Sequence, residues 1–306
     1  MLTRTLTYEK NAISIRVKKF GLALKSSPPS LARANQLLFL CGANRNDGGG
    51  PSARREAIKR FVEGLSVDYR VVYAEGVFNE LTKLGHSKNV LDMEHEISGI
   101  ADKILIVMES PSAFCELGAF AHESFRKKLI IINDSQFKTE NSFINFGPIA
   151  AAAEVKAPVL WYPMSPSGVH SLDGIGATFK ALKDAIARKP PSGSTPVSED
   201  LSDLAPNKQS LYFVHDLVLL TGPVSNNELV AVFKTAFGNK KYDRLHRLLG
   251  VLRAAGLVRS YDAGGTWVYR STSARPFMKF RANVNSLMAS FRSYHLRTHP
   301  ERFRGA

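Results

Sequence analysis

The chain has 306 residues, 44% of them hydrophobic and 22% charged, the composition of a globular protein long enough for two domains. No apolar run reaches the roughly 18 residues of a membrane span, and the amino terminus MLTRTLTYEKNAISIRVKKF lacks an apolar stretch with a small-residue cleavage site, so a cytoplasmic location is expected. Two cysteines, Cys41 and Cys115, argue against a disulfide framework or a zinc site; no metal or cofactor is expected, and the formal charge of +14 points to a polyanionic partner.

Residues 1–35 are mixed and basic, with a turn at SSPP (26–29), and no element is assigned to them. The first clear strand is QLLFLC (36–41), ending at Gly42. A loop, ANRNDGGGP (43–51), leads from it into a helix over 52–65. Strand, glycine-bearing loop and helix offer backbone N–H groups to an anion, but neither G-x-G-x-x-G nor G-x-x-x-x-G-K-[ST] is present, and a plain surface loop fits equally well. A strand at 69–74 (YRVVYA), a short helix at 77–83 and a longer helix at 87–100 follow, the last placing Glu94 on a face with Leu91 and Ser98.

Next comes KILIVMESPSAFCELGAFAHESFR (103–126). Its apolar start suits a buried parallel strand, the break at Glu109-Ser110-Pro111 ends it, and Pro111 and Ser112 open a helix. Glu116 then stands early in a helix just beyond the carboxyl end of a strand, where open α/β sheets bind ligands. Strands at 128–133 (KLIIIN) and 157–162 (APVLWY) and a helix at 171–187 complete a five-stranded, parallel, doubly wound α/β/α sheet.

Residues 188–208, rich in Pro, Ser and Asp, read as a linker. Three helical segments follow (210–220, 225–237, 243–255), then two alternating strands around DAGG (262–265), the order of a winged helix-turn-helix. The domain assignment is therefore 1–187, linker 188–208, winged helix 209–275 and a basic tail 276–306. From Gln209 onward there are 15 Lys and Arg against 5 Asp and Glu. The third helix sets Arg244, Arg247 and Arg253 against a leucine stripe; Lys240, Lys241, Arg259 and Arg270 extend the basic surface, which fits nucleic-acid contact or a solvated face.

An ionised glutamate near a helix start suits glycosyl transfer, because a carboxylate can stabilise and then trap an oxocarbenium-like anomeric carbon. An ordinary helix glutamate accounts for Glu116 equally well on spacing alone. A second acid would serve the departing base or the sugar hydroxyls, and Glu94, Asp102 and Glu109 are the sequence candidates.

The segment ESPSAFCELGAFA (109–121) resembles the glutamate motif of nucleoside 2-deoxyribosyltransferase-like proteins, in which the Glu of E-L-G is the nucleophile. More narrowly, the chain resembles effector proteins of Ec86/St85-type retrons, defence systems of a reverse transcriptase, its RNA–DNA product msDNA and a toxin. FLCG (39–42), the acidic helix around 91–94, ADKILIVMESP (101–111) and SFINFGPI (142–149) carry the match. The resemblance implies Glu116 as nucleophile, with Gly42, Glu94, Asp102, Glu109, Ser110 and Asn145 around the substrate; Ser110 stands where transferases often carry aspartate. It further implies N-glycosidic cleavage of a nucleotide or NAD-type substrate, restraint by reverse transcriptase and msDNA, and a homodimer or higher assembly. A non-catalytic, nucleotide-sensing DNA-binding regulator is the alternative.

Overall fold

The computed structural model describes residues 2–31, 36–45, 50–83, 89, 98–187 and 200–304. They form two compact units. One draws on 36–45, 50–78, 89 and 98–187, the other on 2–31, 79–83 and 200–304. The first 31 residues thus correct the expected 1–187 domain, because α1 (Leu2–Thr7), α2 (Ala12–Ser26) and β1 (Ser30–Leu31) belong to the second unit. β1 pairs antiparallel with residues 278–279, Ser30 opposite Lys279. Gly21 lies so close to the backbone of Ala236 that an added Cβ would meet its carbonyl oxygen, so only glycine permits this helix crossing.

In the α/β unit, β2 (Gln36–Cys41), β3 (Tyr69–Tyr73), β4 (Lys103–Val107), β5 (Leu129–Asp134) and β6 (Val159–Tyr162) form a fully parallel sheet in the order β3-β2-β4-β5-β6. The chain leaves β2 toward one edge and returns through β4 toward the other, so the strand order reverses between the carboxyl ends of β2 and β4. The interior strands read as unbroken apolar runs because both faces are covered. Leu38, Leu40, Leu105, Val107, Ile130 and Ile132 face α3 (Ala53–Leu65) and α7 (Phe179–Ala187), where Ile58, Val62, Leu182 and Ile186 complete one core. On the other face, Phe39 meets Phe120 of α5 (Pro111–Phe120) edge to face at 6.2 Å. The predicted helix at 77–83 begins earlier, as α4 (Ala74–Lys83), directly after β3. The short α6 (Ala150–Glu154) continues a π-helical turn at Asn145–Ile149 that contains Pro148. Most of the predicted helix at 87–100, with Glu94, lies outside the described residues; its end, 98–100, is helical.

The second unit follows its predicted order. α8 (Lys208–Thr221) leads to Val224, which exchanges backbone hydrogen bonds with Tyr269 (3.1 and 2.8 Å). Then come α9 (Asn226–Phe237), α10 (Leu245–Ala254) and the antiparallel hairpin β7 (Val258–Asp262) and β8 (Trp267–Ser271). Ser225 and Glu228 form a reciprocal capping box at the start of α9. Phe213, Phe233, Phe237 and Tyr242 pack the centre. This is a winged-helix-like arrangement. β9 (Met278–Lys279) and α11 (Val284–Thr298) complete the unit.

The tail is fastened to this unit by buried polar groups. Asp216 accepts the amides of Phe277 and Met278 at 2.9 and 2.8 Å. Arg302 makes a bidentate pair with Glu228 at 2.8 and 3.1 Å. Burial alone would raise the Glu228 carboxyl, but the Arg302 guanidinium and the Ser225 amide outweigh it and hold it below its usual range.

Candidate active site

α5 begins where β4 ends. Ser110 caps it, its Oγ accepting the Ala113 amide at 3.3 Å, and Pro111 occupies the first turn, where a missing N–H costs nothing. The buried positions are Ala113, Leu117 and Phe120. Glu116 stands three residues after Ala113 and four before Phe120, at the edge of that buried stripe. It is half-buried, with its Oε2 shielded from solvent.

The turn carrying Glu109 and Ser110 meets the β2–α3 loop at the switch point. Glu109, 1% exposed at its side chain, accepts the Ala43 amide (3.1 Å) and the Ser52 hydroxyl (2.6 Å) with Oε1 and pairs with Arg54 through Oε2 (3.0 Å). Arg54 also pairs with Asp173 at 2.7 Å and donates to the Ser165 carbonyl. Gly42 has φ +150°, and a Cβ there would lie 2.9 Å from Glu109 Oε1 and 2.8 Å from Arg55 Cδ. The absence of a side chain at Gly42 is what lets the carboxylate reach the loop. Gly42, Glu109 and Ser110 are thus brought together, and Glu116 follows on the helix they anchor.

At Asp173 and Arg54 burial works against charge, and pairing outweighs it. Asp173 is held below its ordinary range, since the hydrogen bonds from Arg54 and from the Ser165 and Ile175 amides overcome the desolvation penalty. Arg54 is pushed up: desolvation alone would lower it, but Asp173 and Glu109 hold its proton. Burial drives the Tyr162 phenol far above its usual range, so it stays protonated and donates to Asp173 at 3.3 Å.

Asp102 does not join this group. It lies at the amino end of β4, where its Oδ2 accepts the Leu37 amide at 2.8 Å and its own amide donates to the Leu37 carbonyl. The whole of β4 separates it from Glu109. Asn145 donates its side-chain amide to the carbonyls of Phe137 and Glu140, both at 2.8 Å, which closes the loop after β5.

Sequence reasoning missed Arg54, Arg55, Tyr162 and Asp173. A signal was present: two adjacent arginines in the first turn of α3 oppose the helix dipole, and such cations need carboxylate or carbonyl partners. Arg55, wholly buried, finds them in Glu75 (2.6 Å) and the carbonyls of Leu40 and Ala43 (both 3.0 Å).

On the winged-helix-like unit, Lys241, Arg244 and Arg259 are exposed. The other predicted cations are engaged to varying degree: Lys240 with Asp203 (2.9 Å) and the Ser202 hydroxyl (2.9 Å), Arg253 with Glu80 (2.6 Å), and Arg270 with the Tyr261 hydroxyl, while Arg247 is half-buried.

A parallel sheet with a helix-borne carboxylate beyond its switch point, joined to a winged-helix-like unit, defines a two-part protein whose first part is nucleoside deoxyribosyltransferase-like in fold. The sequence matches the STM3845 retron effector protein family over residues 51–260. It is 36% identical over 282 residues to the "Retron Ec73 putative ribosyltransferase/DNA-binding protein" of Escherichia coli, covering 88% of this chain and 87% of that one. It is also 36% identical over 113 residues to the Escherichia coli "Retron Ec86 putative ribosyltransferase/DNA-binding protein", covering 37% of this chain and 36% of that protein. The chain belongs to the retron effector protein family.

Proposed function

We propose that this retron effector is a toxin that cleaves the N-glycosidic bond of a nucleotide or NAD-type substrate, with Glu116 as nucleophile. The observation that carries the reading is the half-buried carboxylate of Glu116, its Oε2 shielded from solvent, on the helix that leaves the switch point. The Glu116 carboxylate attacks the anomeric carbon as the bond to the base breaks, and the base leaves with the electron pair and takes up a proton. Water then opens the glycosyl ester, or an acceptor takes the sugar. Glu109 serves this chemistry as a brace: with Arg54, Ser52 and the Ala43 amide it fixes the turn from which the helix of Glu116 departs. Ser110 caps that helix, and Gly42 makes room for the brace. Asn145 and Glu94 belong to the substrate surroundings by family resemblance.

The ribosyltransferase and DNA-binding terms in the relatives' names support this division of labour. Reverse transcriptase and msDNA are the proposed partners that restrain the toxin, with Lys241, Arg244 and Arg259 reaching phosphates, and the active assembly is a homodimer or larger. Purified protein incubated with a panel of nucleotides and NAD, with free base followed by mass spectrometry, tests the activity. Base release by the wild type is expected; a panel that yields no base from any member contradicts the reading.

A further inference from the structure

A cavity of about 310 Å³ opens between the first turn of α2 and one face of α11. Its polar lining comes from Arg16, Ser286, Ser290, Ser293 and Arg297, with Ala289 among the small residues. No Asp or Glu lines it. Positions 286, 289, 290, 293 and 297 recur at three- and four-residue spacing, so they form one stripe along α11, about 16 Å long at 1.5 Å per residue. Serine and alanine keep that stripe low, and an arginine stands on α2 while a second closes the far end.

The two guanidinium groups are held in place without being neutralised. Arg16 donates to the Ser290 hydroxyl, which donates onward to the Ser286 carbonyl at 2.7 Å. Arg297 donates to the Ser293 carbonyl at 3.2 Å. Neither arginine has a carboxylate partner among the described residues. Guanidinium and hydroxyl donors in an acid-free groove are the chemistry that binds phosphate oxygens. The stretches 1–34, 79–86 and 194–306 that make up this unit hold 24 Lys and Arg against 10 Asp and Glu, so the surrounding field also favours an anion.

We propose that the α2–α11 groove binds the phosphodiester backbone of a nucleic-acid strand, as a contact surface separate from α10. Its length favours a polymer, since a single phosphate spans only a fraction of 16 Å, whereas a strand presents a charge every few ångströms. The proposal is independent of the glycosidase reading, because none of its residues lies in the α/β unit.

The test is fluorescence anisotropy of the full-length protein with labelled single-stranded oligonucleotides of mixed sequence, in DNA and RNA, over a salt series. Arg16→Ala with Arg297→Ala should weaken binding at least about fivefold at low salt. The same pair should flatten the log–log salt slope by roughly 1.4, because on a single strand each phosphate left without its arginine lowers the slope by about 0.7. Ala289→Glu, at an exposed helix position, adds a carboxylate to the groove without touching the core and should weaken binding similarly. Base release should be unchanged in all three substitutions. Unaltered affinity and slope in Ala289→Glu, with loss confined to Arg244→Ala and Arg259→Ala, would overturn the proposal. Displacement of the oligonucleotide by a mononucleotide at equal phosphate concentration would overturn it as well, by assigning the groove to free nucleotides.

Discussion

The stretches that form the α/β unit, 35–78 and 87–193, contain 17 Lys and Arg and 17 Asp and Glu, while the other unit carries the whole excess of +14. Their arginines differ accordingly. Arg54 and Arg55 are buried and spend their donors on carboxylates and carbonyls that tie three strand ends together. Arg244 and Arg259 are exposed and reach outward, and Arg302 is the deeply buried exception, locking the tail to α9. One residue type therefore ties strand ends together in one unit and makes a surface in the other, and burial with its partners decides which.

The largest stability effect should come from breaking the brace. Arg54→Met leaves Glu109 and Asp173 buried without their cation, and a loss of about 3–5 kcal/mol is expected in urea unfolding. If the loss is below about 1 kcal/mol, the cluster is not a brace.

A pH titration sharpens the contrast from the other side. His295 is buried, donates from Nε2 to the Thr221 carbonyl at 2.9 Å, and turns Nδ1 toward Arg302, so burial lowers its pKa to about 4. In the unfolded chain a histidine titrates near 6.5. Between those values the unfolded state binds more protons, so stability is full above pH 6.5 and falls as the pH drops toward 4, by roughly 3 kcal/mol in total. His295→Gln should remove most of that slope while a flat profile in the wild type would contradict the assignment.

The smallest effect on folding belongs to the outward arginines. Arg244→Ala with Arg259→Ala should shift the melting temperature by less than about 2 °C, yet weaken DNA binding and flatten the log–log salt slope by about 2. A large loss of stability instead would place these side chains with Arg54 and erase the distinction.

Much of this was legible in the chain because single strands and helices carry their own signals. QLLFLC, the apolar start of KILIVMESP and KLIIIN read as buried parallel strands, since both faces of the sheet are covered, and ESPS announces a strand end and a helix cap in four residues. The winged-helix order was equally plain from three helices and a glycine turn. What was not legible depended on partners far away in sequence. Nothing local told that residues 2–31 pack with 200–304, because their amphipathic pattern fits any apolar surface. Glu109 and Asp102 looked alike as spare acids beside Glu116, yet one is clamped by Arg54, 55 residues earlier, and the other caps the far end of the strand. Asp173 showed no sign of its pairing 119 residues back.

The measurement that tests the central claim most directly compares Glu116→Gln with Glu109→Gln for base release and thermal stability together. Glu116→Gln should lose release by at least about 10³-fold while melting within about 2 °C of the wild type, and Glu109→Gln should melt clearly lower because buried Arg54 loses one of its two carboxylate partners. Full base release by a stable Glu116→Gln protein would contradict the account.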